Sequence, residues 1–264
     1  MGMLWTSRKG ERLSRVEHIG DATLYLGDCL EILPTLKPVD AVVTDPPFFA
    51  PASHYQSRIS WGRAWADMSI LGQYFYNLVE IFKSILKEDG HLFTFCNDES
   101  YPVFYPAAYG LWDFTCALIW DKTRIGLGKI FRHQYEIILW ASNSGAYAVG
   151  DGKAHSDILS YSPTLSAKRD HPVQKPPELM QELIEVCTRP NAIIVDSHMG
   201  SGTTLQAAIR LGRQAIGIEL DERYFNIACR RIEQEYKQPK LFKEPEIEYE
   251  QNDLITKEGK RGVR

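Results

Sequence analysis

Short apolar runs rich in β-branched and aromatic residues recur along the chain at 23–27, 40–44 and 90–95. Between them, stretches 29–36 and 71–87 carry apolar residues at helical spacing. This alternation predicts a parallel α/β sheet. Runs 114–120 and 134–141 have only 121–133 between them, too little for a helical crossover, so they predict an antiparallel hairpin at one edge of a mixed sheet. From 141 to 171 the pattern lapses into Ser, Gly, Asp and Pro, and it resumes where Pro176-Pro177-Glu178 opens a helix that ends near Arg189-Pro190. A buried-type strand (192–196), a glycine-rich turn, a helix to about Gly212, a strand (214–219) and a last helix from Glu222 complete the pattern.

Composition adds mainly exclusions. With 264 residues, 44% hydrophobic and 24% charged, the chain has an ordinary globular make-up and the length for one large core. A formal charge of −4 excludes a polycationic DNA coat but not a local basic patch. The apolar runs are too short to cross a bilayer, and no secretory leader is evident, so a cytoplasmic protein without membrane contact is expected. The five cysteines lie far apart without ligand spacing, which predicts neither disulfides nor a metal site. Residues 243–264 have the polar, charged composition of a disordered tail.

Two segments carry candidate chemistry. Asp196-Ser-His-Met-Gly-Ser-Gly-Thr-Thr follows a strand and precedes a helix, where a nucleotide-like cofactor approaches an α/β sheet. The turn has no P-loop lysine, and its spacing fits a dinucleotide site poorly, which leaves a cofactor with adenosine but no phosphate. Glu219 ends the next strand, where a carboxylate can accept hydrogen bonds from both ribose hydroxyls. The second segment, Asp45-Pro46-Pro47-Phe48, also follows an apolar strand. Two prolines remove two N–H donors, so the segment presents carbonyl oxygens and a carboxylate, a surface suited to an amino group with protons to donate. Phe48 offers a flat face for the ring bearing that amine.

Taken together, the Asp-Pro-Pro-Phe tetrad, the Asp196 glycine turn and Glu219 resemble the exocyclic-amine DNA methyltransferases that use S-adenosylmethionine. The tetrad precedes the glycine turn, which is similar to the circularly permuted beta group found in restriction-modification systems and phages. The resemblance implies a Rossmann-like methyltransferase fold, a mixed and mostly parallel sheet of seven strands with an antiparallel hairpin at one edge. It implies a single catalytic domain over 20–237, a short N-terminal extension (1–19) and a target-recognition insert at about 142–170. Gly27-Asp28 is similar to the family's adenine-contacting element, and His171-Pro-Val-Gln-Lys175-Pro to the segment closing the methionine end of the cofactor pocket. The implied cofactor residues are Asp28, Asp45, Lys175, Asp196, His198, Gly200, Ser201, Gly202, Thr203, Glu219 and Leu220. Phe48 stands where tyrosine is usual, and Ser197-His198 where Pro-Phe is frequent; His198 could also be read as a base.

By resemblance, the methyl group passes in line to the exocyclic nitrogen of a flipped base, with Asp45 and the Pro46 carbonyl drawing the amine toward tetrahedral geometry. Carbon-5 methylation of cytosine is disfavoured because the chain has no Pro-Cys pair. Aspartate-first tetrads point to N6 of adenine, with N4 of cytosine as the alternative; a protein-amide methyltransferase or an inactive DNA-binding relative are more distant readings. The expected partner is double-stranded DNA, with contacts from Arg58 and Arg63 after the tetrad, Lys129 and Arg132 in the hairpin turn, and Lys168 and Arg169 in the insert. Tyr135 is the candidate to flank the target base. An insert this small reads few bases, so the site is short, the specificity relaxed, or a second copy of the chain shares the task. No nuclease motif is evident in this chain.

Overall fold

A computed structural model describes residues 15–48, 67–126, 130–148, 155–164 and 174–237. Nine strands among them form one sheet: β1 (Arg15–Ile19), β2 (Ala22–Leu26), β3 (Val39–Thr44), β4 (Leu86–Cys96), β5 (Phe114–Asp121), β6 (Tyr135–Ser142), β7 (Ile158–Ser160), β8 (Ile193–Asp196) and β9 (Gln214–Glu219). Their order across the sheet is β1-β2-β9-β8-β3-β4-β6-β5-β7. The neighbours from β2 to β4 are all parallel, whereas β6 runs antiparallel to both β4 and β5.

Helices cover both faces, which is why the central strands read as continuous apolar runs. On β3, Ala41 and Val43 join one core with α4 (Pro177–Cys187), α5 (Thr203–Arg210) and α6 (Glu222–Lys237). Val42 joins the opposite core with α1 (Cys29–Ile32), α2 (Met68–Ile85) and α3 (Tyr101–Ala108). In that second core Phe75 of α2 stacks on Phe104 of α3, ring centroids 3.7 Å apart.

The mixed α/β sheet is as expected, but it has nine strands instead of seven. Arg15–Ile19, assigned by sequence to an N-terminal extension, pairs antiparallel with β2 through a tight turn in which Gly20 takes φ 57°. Ile158–Ser160, inside the expected recognition insert, adds parallel to β5, so the β5–β6 hairpin lies one strand in from the edge. Helix α3 carries prolines at 102 and 106, which hid it from a periodicity reading. The tail 243–264 lies outside the described residues. No described helix is long and apolar enough to cross a membrane.

Candidate active site

Strands β2, β3, β4, β5, β8 and β9 all end at the same edge of the sheet, and β6, running the other way, begins there. The topology thus gathers the ends of separate segments into one crevice, the usual ligand position in an open α/β sheet.

The glycine turn occupies the β8–α5 connection. Gly200 and Gly202 have φ of 51° and 81°, left-handed values that disfavour other residues, and Gly202 caps α5. Asp196 does not face open space: its Oδ1 accepts from Thr44 Oγ1 (2.9 Å) and the His198 N–H (3.1 Å), and its Oδ2 from Thr204 Oγ1 (2.6 Å). It therefore ties the turn to the end of β3, below the tetrad. Burial pushes its carboxyl up to about 6 against those hydrogen bonds.

Glu219 bridges the other side of the turn. Its Oε2 accepts from the Gly200 N–H (2.9 Å) and its Oε1 from the Asp221 N–H (2.8 Å), while burial raises its carboxyl to about 7. Leu220, the next residue, is half exposed. Ser201 and Thr203 turn toward α6: Arg231 donates to the Ser201 carbonyl (2.6 Å) and Oγ (2.7 Å) and lies 3.4 Å from Thr203 Oγ1. Their side chains are thus engaged inside the fold. Asp28 caps α1 through Leu30 N–H (2.9 Å) beside Gly27, whose N–H reaches the Glu219 carbonyl (2.9 Å).

At the end of β3 the tetrad meets charges that the sequence does not place near it. Asp45 Oδ2 accepts from Lys175 Nζ at 2.6 Å, while Asp45 Oδ1 is buried without a hydrogen-bond partner among the described residues. Lys175 Nζ also lies 3.2 Å from Glu136 Oε2 on β6, and Glu136 Oε1 lies 2.8 Å from Lys122 Nζ after β5. The Lys175 ammonium is 5.0 Å from the Phe95 ring centroid and 5.8 Å from that of Phe48. Burial pushes the Asp45 carboxyl up, Lys175 opposes it, and the net shift is upward. Burial acts on Glu136 in the same sense, but there Lys175 and Lys122 together prevail and hold the carboxyl below its ordinary value. The Lys175 ammonium sits at Asp45, which like Lys175 was expected among the cofactor residues, and Glu136 and Lys122 are the residues beside them that sequence reasoning missed. An acid one residue into an otherwise apolar strand was the available signal.

His198 lies between Tyr74 OH (2.7 Å from Nε2) and Ser197 Oγ (2.8 Å from Nδ1). Both ring nitrogens are engaged, and burial lowers its pKa to about 3, which makes it a poor proton acceptor. Of the DNA candidates, Tyr135 is exposed at the start of β6 beside Glu136, and Arg132 Nε donates to the Gly126 carbonyl at 2.6 Å in an exposed loop. Arg58, Arg63, Lys129, Lys168 and Arg169 lie outside the described residues.

Residues 39–230 match the DNA methylase family of N6 and N4 enzymes. The YubD protein of Escherichia coli K12 is 31% identical over 215 residues, spanning 78% of this chain and 88% of its own. Type II methyltransferase M.HinfI of Haemophilus influenzae is 27% identical over 256 residues, spanning 82% of this chain and 70% of its own. Among solved structures, the M1.HpyAVI–SAM complex superposes with a TM-score of 0.62 at 25% identity, covering 80% of this chain and 98% of that one. The cytosine-N4-specific PvuII DNA methyltransferase shares the fold, with a TM-score of 0.66 at 16% identity over 86% of this chain and 95% of its own. A family match over most of the chain, covering both the tetrad and the glycine turn, has one reading: the protein belongs to the N6/N4 DNA methylase family.

Proposed function

We propose that the protein methylates the exocyclic N6 of adenine in double-stranded DNA, using S-adenosylmethionine. The observation that carries this reading is Asp45 Oδ1, a buried carboxylate oxygen without a hydrogen-bond partner among the described residues, in a segment whose two prolines contribute acceptors only. A polar atom so placed awaits a donor, and an exocyclic amine supplies two protons. The relative YhdJ of E. coli, 24% identical over 80% of this chain and 82% of its own, is described as a DNA adenine methyltransferase.

The crevice fits the cofactor. Positive-φ glycines let a ligand approach the backbone, the Glu219 carboxylate can accept from ribose hydroxyls, and half-exposed Leu220 suits an adenine face. On this reading Gly200, Gly202, Glu219 and Leu220 hold the adenosine part, with Asp28 and His198 bordering it. When bound, S-adenosylmethionine supplies a methyl group made electrophilic by its sulfonium.

The chain's own residues prepare the acceptor. An exocyclic amine is a weak nucleophile because its lone pair is delocalised into the base. Hydrogen bonds from that amine to Asp45 Oδ1 and the Pro46 carbonyl localise the lone pair, and Phe48 stacks on the base. Asp45 takes the amine proton only once the nitrogen is positively charged, so a strong base is not required. Residues 15–237 then act as the catalytic unit and 142–170 as the target-reading insert. Tyr135 flanks the flipped base, and Arg58, Arg63, Lys129, Arg132, Lys168 and Arg169 contact the DNA.

The test is incubation with unmethylated DNA and methyl-labelled S-adenosylmethionine, then digestion to nucleosides. Label is expected in N6-methyl-2′-deoxyadenosine. Label in N4-methyl-2′-deoxycytidine would overturn the base assignment, and unlabelled nucleosides would overturn the reaction.

A further inference from the structure

The four charges at the end of β3 alternate in sign: Asp45, Lys175, Glu136, Lys122. They come from four separate segments, and the link to Asp45 is the shortest. The two oxygens of Asp45 are not equivalent, since Oδ2 is taken by Lys175 and Oδ1 has no hydrogen bond among the described residues. We propose that Lys175, backed by Glu136 and Lys122, is the positioning group of the target-amine site: it anchors Asp45 through Oδ2 and so reserves Oδ1 for the amine. This inference rests on the amine-methylation reading above and gives Lys175 a role apart from closing the cofactor pocket.

The physical case has three parts. A carboxylate held by one oxygen loses the freedom to rotate, so its other oxygen points one way before substrate arrives. A buried lysine needs a counter-charge whichever way Asp45 is engaged, and Glu136 supplies one at 3.2 Å; Lys175 therefore need not leave when the amine binds. Glu136 would by itself repel Asp45, and Lys122 offsets part of its charge.

The same arrangement governs ionisation. The groups facing Asp45 are Lys175 before α4, Glu136 on β6, Lys122 after β5, the Cys96 thiol on β4 and Asp196 on β8. Burial and Glu136 favour the protonated acid, which would place a proton on the oxygens that must accept. Lys175 and, more weakly, Lys122 oppose this, while the Cys96 thiol, pushed well above its ordinary value by burial, stays neutral.

The experiment compares Lys175→Met, Lys175→Arg and Glu136→Gln with the native protein. It measures S-adenosylmethionine affinity by calorimetry and DNA kcat/KM against pH. Without its cation Asp45 protonates more readily, so in Lys175→Met the acid limb of the profile should move to higher pH. At neutral pH kcat/KM should fall at least tenfold and recover partly in alkali, while cofactor affinity changes less than twofold. Glu136→Gln removes the neighbouring anion, so its acid limb should move to lower pH, and this holds as an independent test if Lys175→Met does not fold. Lys175→Arg should keep the native limb. Uniform loss across pH with no movement of either limb would overturn the proposal, as would a tenfold loss of cofactor affinity in Lys175→Met. Native transfer of label to DNA scores the amine-methylation reading separately.

Discussion

At the scale of the residue, the site depends on carboxylates whose burial is only partly compensated. Asp45→Ala removes the acceptor but leaves Lys175 its contact with Glu136, so the fold and cofactor affinity should persist while kcat falls at least ~10²-fold, the usual consequence of deleting a preorganised electrostatic group. Single-turnover transfer beside calorimetry checks both halves. Glu219 predicts a pH dependence. Its folded pKa is raised from 4.5 to about 7, so the folded chain holds a proton there that the unfolded chain has lost; this adds stability at low pH that fades as pH rises through that window. Ribose hydroxyls donate, so they bind the ionised form. S-adenosylmethionine affinity should be flat above about pH 7 and fall toward tenfold per pH unit below it. Calorimetric titrations across that range should show the dependence in the native protein and its loss in Glu219→Gln.

At the scale of the element, the glycine turn is held from behind by α6. Arg231 grips the Ser201 carbonyl and hydroxyl, and the turn packs so closely that a Cβ at Gly217 of β9 would fall 2.3 Å from Met199 Sδ. Arg231→Met removes charged hydrogen bonds from a part-buried loop and should cost about 2–3 kcal/mol. That corresponds to a fall in Tm of several degrees for a domain of this size. Because the same bonds keep the Gly200 N–H aimed at Glu219, cofactor affinity should weaken as well. A lowered Tm with unchanged affinity would separate the scaffold of the turn from its binding face.

At the scale of the whole molecule, a net charge of −4 must coexist with DNA binding. Phosphate contacts release counterions whatever the charge elsewhere, so affinity should fall steeply with salt. Replacing Arg58 and Arg63 together should flatten the log–log salt slope by about 1.8 if each meets one phosphate. Fluorescence anisotropy with duplex DNA over a salt series measures this, and an unchanged slope would remove those two arginines from the interface.

The sheet and its two ligand-facing turns were legible because they depend on local pattern. Apolar runs bounded by turn residues marked β3, β8 and β9, Gly200 and Gly202 marked a turn that a ligand can approach closely, and Pro46-Pro47 declared a surface without donors. These signals act within a few residues, where backbone sterics and period decide. The extra strands were not legible in the same way: β1 is held by pairing with β2, and β7 is three residues long and exists as a strand only because β5 has an open edge. Side-chain partners were the least legible of all. Nothing in the order of the chain says that Lys175 meets Asp45, that Glu136 stands behind them, or that Asp196 and Ser201 spend their polar atoms inside the fold. Buried charges choose partners by distance and dielectric, and only the folded sheet, which brings the ends of separate strands to one edge, sets those distances.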